Sequence, residues 1–324
     1  MSPLGFPPFR ERFPWIGPHL QTVRNTLVHP RVGLPPGECL RFPMEDGTGD
    51  VLAGTLTRRE MAAEGRALVV LVHGLTGCED SFYVRATARA LLDEGFPVLR
   101  LNLRGAGPSS ATCRQRYHAG RTGDLRKVLG GLPQAELENG VALIGYSLGG
   151  NAVLKLLGEG EFPVPVRAGA GISAPIDLSG SSRCFLLKRN AFYHRRLLGS
   201  MKRETLALGP DLPDELAQAV REVRSVWEFD DRVVARWNGW SGAEEYYRIN
   251  SALQFLPAIQ VPTLVIHALD DPWIPGSAYT AFDWAGNPAL TPLLPARGGH
   301  VGFHGVDGIW HDRCLAQFLL RHAA

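Results

Sequence analysis

Val141-Ala142-Leu143-Ile144-Gly145-Tyr146-Ser147-Leu148-Gly149-Gly150 is the stretch whose reading decides the fold. Its first four residues are an unbroken apolar run, as in a strand buried on both faces of a parallel sheet. The five that follow match G-x-S-x-G, a sharp strand-to-helix turn in which glycines two residues either side of the serine permit close backbone approach. Beyond Ser147 the apolar spacing becomes helical to about residue 157. A strand that turns on a serine into a helix is one half of a β-α-β unit, so matching units should flank it.

They do. Upstream, Ala67 to Val72 is a second continuous apolar, β-branched run, followed by a glycine-containing loop, a helical pattern over about 80–94 and a short strand from Pro97 to Leu101. A helix at about 120–130 leads into the deciding strand. Downstream lie strands from Val166 to Ser173, from Thr263 to His267 and around Leu293, then a closing amphipathic helix over 308–321. Strands alternating with helices imply a doubly wound, mostly parallel sheet. Two further strands, 39–44 and 50–57, flank the turn signal Glu45-Asp46-Gly47. The division expected is an N-terminal arm over 1–38, extended and packed on the core; an α/β core over 39–173 and 261–324; and an insertion over 174–260. The insertion breaks the strand alternation and reads as a helical lid over the carboxyl edge of the sheet, where ligands of such sheets bind.

Composition narrows the class. At 324 residues the chain can bury a substantial core, and it is 45% hydrophobic and 20% charged. A formal net charge of +2 argues against a nucleic-acid binder. The five cysteines are odd in number and hold no CxxC pair, which points to reduced thiols and a cytoplasmic protein. No apolar run is long enough for a transmembrane helix. No cofactor or metal is called for: Asp230-Asp231 lacks a nearby histidine pattern and reads as structural, and His267-x-x-x-Asp271 lies along a strand end, not on one helix face.

A serine hydroxyl is a weak nucleophile until a base takes its proton, and for this serine turn the partners follow in the order acid, then histidine. Asp270 and Asp271 compete for the acid at the end of the Thr263–His267 strand. Asp271 is preferred, because many proteins with this turn place the acid three residues before an apolar-proline pair, here Ile274-Pro275; Asp270 is left to cap or hold the loop. The base expected is His300, in Arg297-Gly298-Gly299-His300-Val301-Gly302-Phe303, whose glycines allow a tight loop; His304 and His311 are the fallbacks. An oxyanion would need two amide donors. These are expected from Leu148, after the serine and at a helix N-terminus, and from Leu75 in His73-Gly74-Leu75-Thr76-Gly77, with His73 itself structural.

With these pieces placed, the chain resembles the YheT-like esterase branch of the α/β-hydrolase superfamily. The resemblance runs over nearly the whole chain: Pro18-His19-Leu20-Gln21-Thr22 in the arm, HGLTG at 73–77, Asn102-Leu103-Arg104-Gly105, GYSLGG at 145–150 and Ser173-Ala174-Pro175. It continues through Glu228-Phe229-Asp230-Asp231 and Tyr246-Tyr247-Arg248 in the insertion to HALDDP and GGHVGF. It implies an α/β-hydrolase fold and a triad of Ser147, Asp271 and His300 acting on acyl esters, short- to medium-chain or lipid-like. Acyl transfer to an alcohol and thioester hydrolysis would use the same site, and a non-catalytic binding protein on this fold is the reading from another class. One stretch stays open. From Arg183 to Arg203 there are seven Lys or Arg and no acid, interleaved with Phe185, Leu187, Phe192 and other apolar residues. The preferred reading is a helix covering the pocket with its charges solvated; the other is a basic amphipathic element meeting anionic lipid or an acyl carrier.

Overall fold

The computed structural model describes residues 5–59 and 65–324. Eight strands form one sheet in the order β1-β2-β4-β3-β5-β6-β7-β8. They are β1 (Glu38–Pro43), β2 (Val51–Thr57), β3 (Leu68–Val72), β4 (Val98–Leu101), β5 (Val141–Tyr146), β6 (Val166–Ile172), β7 (Thr263–Ile266) and β8 (Leu290–Leu293). From β4 to β8 every pairing is parallel, whereas β1 and β2 form an antiparallel hairpin at one edge, with β2 antiparallel to β4.

The two-fold alternation of the strands divides the core into two layers. Leu68, Val70 and Val72 of β3 face one cluster, which contains Leu125 and Val128 of α3 (Thr122–Gly130) and Val153 and Leu154 of α4 (Leu148–Glu159). Val69 and Leu71 face the other, with Val84 and Leu91 of α2 (Phe82–Asp93) and Leu315 and Phe318 of α11 (Trp310–His322). Burial on both faces is why β3 and β5 read as continuous apolar runs and not as alternating ones.

Between β6 and β7 the chain leaves the sheet and forms α5 (Leu178–Phe185), α6 (Ala191–Leu206), α7 (Asp214–Glu222), α8 (Val226–Phe229) and α9 (Ala243–Asn250). A π-helical stretch, Asp230–Ala235, continues α8. The insertion has its own small apolar core around Leu197, Met201, Val220 and Phe229. A short α10 (Ser277–Ala281) follows β7. No helix among the described residues is long and apolar enough to cross a membrane.

The expectation for residues 1–38 needs correction. Residues 1–4 lie outside the described residues, and the remainder is not extended throughout, because Pro18–Val28 forms an α-helix, α1. Pro18 at its start carries a helical φ, and the N–H that it lacks would have had no partner within the helix. Gly17, at φ 86°, makes the turn into it, and His29 closes it in the left-handed conformation. Its apolar residues Leu20, Leu27 and Val28 face outward, and the residue that it buries is a glutamine, Gln21. Apolar residues turned outward and a polar one turned inward invert the pattern by which a helix packed on a core is read.

Candidate active site

Four loops converge at the carboxyl edge of the parallel strands, after β3, β5, β7 and β8. Ser147 follows β5 directly, with φ 49° and ψ −122°, in the left-handed half of conformational space that a side chain avoids unless its surroundings impose it. They do so by close packing. A Cβ on Gly145 would stand 2.2 Å from the Gly149 carbonyl oxygen, and one on Gly149 2.3 Å from that of His73. Bare backbone at both places lets α4 approach β3 and β5 and holds the turn tight.

The sequence-derived residues meet here. His300 Nε2 is 3.0 Å from Ser147 Oγ, and His300 Nδ1 is 2.8 Å from Asp271 Oδ2. With Asp271 ionised, Nδ1–H donates to the carboxylate and Nε2 is left with a lone pair for the serine hydroxyl. Burial pushes the Asp271 carboxyl up, but the charge of His300, the hydrogen bond to it and the Trp273 amide outweigh burial and hold it below the usual range. Its other oxygen accepts from the Trp273 and Ile274 amides at 2.8 and 3.1 Å. Asp270 has the separate task of accepting from the Gly299 amide at 2.9 Å, in the histidine loop. The fallback histidines stand elsewhere. His304 is held through its backbone by Gln21, and the His311 ring packs edge-on to Tyr146 from α11.

The HGLTG loop approaches the serine so closely that a Cβ on Gly74 would lie 2.9 Å from Ser147 Cβ. Two tyrosines fix it: Tyr83 Oη accepts from the Gly74 amide at 2.9 Å, and Tyr117 Oη from the Thr76 amide at 2.6 Å. The Leu75 amide between them, like that of Leu148, has no protein acceptor among the described residues. The His73 ring is structural. Nε2 accepts from the Leu103 amide at 3.0 Å and Nδ1 meets the Gly74 carbonyl at 2.7 Å, while burial drives its pKa down to about 4.

Sequence reasoning gave no role to the residues that hold the histidine loop. The Thr22 hydroxyl accepts from the His300 amide at 2.9 Å. Gln21 Oε1 accepts from the His304 amide at 2.7 Å, and Gln21 Nε2 donates to the His304 carbonyl at 3.1 Å. The arm motif therefore clamps the loop at both ends of 300–304. Trp273 stacks on the His300 ring at 4.3 Å, and Ser173 Oγ accepts from the Val301 amide at 3.1 Å. Only the recurrence of Gln21-Thr22 in the resemblance hinted at this work.

Over the four loops lies a cavity of about 470 Å³. Ser147, His300 and Leu75 are at its floor edge, and α1 and the insertion supply much of its wall, including Leu197, Met201, Phe229 and Trp237. One polar network reaches it. Tyr247 Oη donates to Asp230 Oδ2 at 2.7 Å and lies 2.9 Å from Ser182 Oγ, tying α5, the π-helical stretch and α9 together. Burial raises the Asp230 carboxyl to about 7, and Tyr247 lowers it only in part. Asp231 caps α9 by accepting from the Ala243 amide at 2.9 Å.

A family model described as the alpha/beta hydrolase fold matches residues 67–305. The chain belongs to the α/β-hydrolase family. Within that family, YheT of Escherichia coli (strain K12), a candidate esterase, is 33% identical over 291 residues, covering 89% of this chain and 84% of its own. A monoacylglycerol lipase of Saccharomyces cerevisiae is 29% identical over 268 residues, 79% of this chain but 59% of the yeast protein, so this α/β hydrolase spans well under two thirds of that relative. Among solved structures an esterase of Pyrococcus furiosus superposes with a TM-score of 0.62 at 17% identity, covering 99% of this chain and 100% of that one, a likeness of fold.

Proposed function

We propose that this α/β hydrolase is a carboxylic ester hydrolase in which Ser147 is the nucleophile, His300 the general base and Asp271 the group that orients and charges the histidine. The observation that carries the reading is the run of two hydrogen bonds, Ser147 Oγ to His300 Nε2 and His300 Nδ1 to Asp271 Oδ2, at 3.0 and 2.8 Å. His300 takes the serine proton as Oγ attacks the ester carbonyl, and the imidazolium formed is stabilised by buried Asp271. The free amides of Leu75 and Leu148 are aimed to hold the oxyanion, with the α4 N-terminus adding its positive end. His300 then protonates the departing alcohol, and water activated by the same histidine cleaves the acyl-enzyme.

An apolar cavity of about 470 Å³ lies within the range of small-molecule sites and favours an acyl chain of short to medium length, or a lipid-like ester. The helices between β6 and β7 act as its lid. The five free thiols fit a reducing, cytoplasmic setting. The test is hydrolysis of p-nitrophenyl esters of increasing acyl length by the native chain and by Ser147→Ala, together with labelling by a fluorophosphonate. Turnover with an optimum length and loss of on the order of 10⁵-fold or more in the variant is expected. An unlabelled Ser147 and no turnover of any ester would refute the reading.

A further inference from the structure

The basic stretch of the insertion and the arm helix share a feature that ester hydrolysis does not use. Of the eleven exposed large apolar side chains among the described residues, eight fall in two short segments, 13–28 and 186–192. Phe13 is 81% exposed, Leu27 61% and Phe192 70%. Single exposed apolar residues are ordinary, whereas concentration of this kind marks a contact surface. The two segments are far apart in sequence and adjoin in space. His19 Nδ1 lies 3.0 Å from Tyr193 Oη, with the two rings stacked at an interplanar angle of 11°. Thr22 and Thr26 of α1, and Phe185 and Leu197 of the insertion, line the same cavity, so the apolar segments sit on its rim.

Charge is distributed to match. The stretch 183–203 carries seven Lys or Arg and no acid. Since the whole chain has a net charge of +2, the remainder carries 2 − 7 = −5, and the positive potential is local to this rim. Some surface arginines elsewhere are paired, Arg58 with Glu38 and Glu136 and Arg232 with Glu222, and within the stretch Arg183 lies 3.9 Å from Glu244. Lys188, Arg189 and Arg195 have no carboxylate partner among the described residues. We propose that this rim docks on a lipid surface bearing anionic headgroups, with the apolar side chains of α1 and the 186–192 segment entering the headgroup boundary and the basic residues held over it. An acidic protein would satisfy the charges but would need a matching apolar face for two separate segments, whereas a lipid interface accepts both without a shaped partner. Docking in this pose turns the mouth of the cavity toward the layer in which a long-chain ester is dissolved.

The test is co-sedimentation with vesicles of phosphatidylcholine alone and of phosphatidylcholine mixed with phosphatidylglycerol. The native chain and Ser147→Ala should both pellet with the mixed vesicles, stay in solution with the neutral ones, and be released as salt shortens the range of the attraction. The double variants Leu187→Ser/Phe192→Ser and Lys188→Glu/Arg195→Glu should each bind the mixed vesicles at least about ten-fold more weakly. Both should melt at the native temperature, which shows that they are folded, and should turn over a water-soluble short-chain ester at whatever rate the native chain does. A native chain that stays in solution with mixed vesicles, or that binds neutral ones equally, overturns the proposal, as do double variants that pellet like the native chain. Sedimentation requires no turnover, so failure of the esterase reading would leave this result intact, and the reverse holds too.

Discussion

Replacing Gln21 with Ala should damage catalysis more than its distance along the chain from His300 would suggest. The side chain is fully buried, and it satisfies both the amide and the carbonyl of His304. Its removal strands the buried His304 amide, at about 1–3 kcal/mol, while the His304 carbonyl keeps its bond from the Arg12 amide at 3.1 Å. That loop is already strained. Gly298 and Gly299 have φ of 146° and 60°, and Val301 and Phe303, which carry side chains, have φ of 50° and 47°. Held by Gln21 and Thr22 it presents His300 to Ser147; released, it relaxes, and a displacement near 1 Å costs on the order of 10²-fold in rate. Thr22→Val removes the bond from the His300 amide, worth about 1 kcal/mol, along with the hydroxyl's own bond to the Pro18 carbonyl, and should lower kcat about five-fold, whereas Thr22→Ser, which keeps the hydroxyl, should restore it. The assay is kcat and KM on a soluble p-nitrophenyl ester, with thermal melting alongside. A fall in kcat with KM held marks a displaced base rather than a damaged pocket. If both variants melt lower yet keep kcat within two-fold of the native value, the loop holds itself and the argument is wrong.

Other expectations concern the frame. Arg104, buried on β4's exit loop, pairs with Asp46, Asp50 and Asp124 at 2.8, 2.8 and 2.6 Å. Arg104→Met leaves Asp50 buried without a counter-charge, while Asp124 keeps Arg121 at 3.3 Å, and denaturant unfolding should show a loss of about 3–5 kcal/mol; a loss under about 1 kcal/mol would mean that water reaches Asp50. Acid should destabilise the chain. Burial holds His73 and His267 near 4 and His118, His304 and His311 near 3, so below the ordinary histidine range the unfolded chain takes up protons that the folded one refuses. Asp230 and Asp312, raised to about 7, act in the opposite sense, losing stability as pH rises toward 7, but they are outnumbered. The melting temperature should therefore fall from pH 7 to pH 5, and an equal or higher value at pH 5 would refute the assignment of these histidines as buried and neutral. Gly74→Val should abolish turnover, since its Cβ would meet that of Ser147 at 2.9 Å; activity near the native level would show that the HGLTG loop can withdraw.

The parallel core was legible because burial on both faces writes itself as unbroken apolar runs. Val141–Tyr146 and Leu68–Val72 fall within two residues of the sequence reading. The residues proposed as nucleophile, base and acid were legible for a different reason: the serine turn needs its glycines, and the chain order of the acid and histidine follows from the order of the strands. The choice between Asp270 and Asp271 rested on a spacing to Ile274-Pro275, and the structure shows what that spacing accomplishes, since Asp271 Oδ1 accepts from the Ile274 amide at 3.1 Å. What escaped sequence reading is polar and long-range. Helix α1 turns Leu20 and Leu27 outward and buries a glutamine, so its apolar residues do not mark its inward face, and Gln21 meets His304 across 283 positions, a pairing that no local pattern encodes. Tyr83 and Tyr117, which fix the loop beside Ser147, belong to no motif that would mark them for it. Asp230 was read as structural and does tie the insertion together, but its place on the cavity wall depends on a π-helical stretch that its sequence does not announce.

The clamp between α1 and the histidine loop joins segments that are synthesised far apart in time. Ser147 and its turn can form once β5 and β6 have left the ribosome, and the cavity can close when the insertion follows. His300 has no fixed position until the last tenth of the chain has emerged and closed onto a helix synthesised among the first thirty residues. On the proposed mechanism, a chain in which the Ser147 turn has formed but the 300–304 loop has not docked on α1 holds a nucleophile without its base.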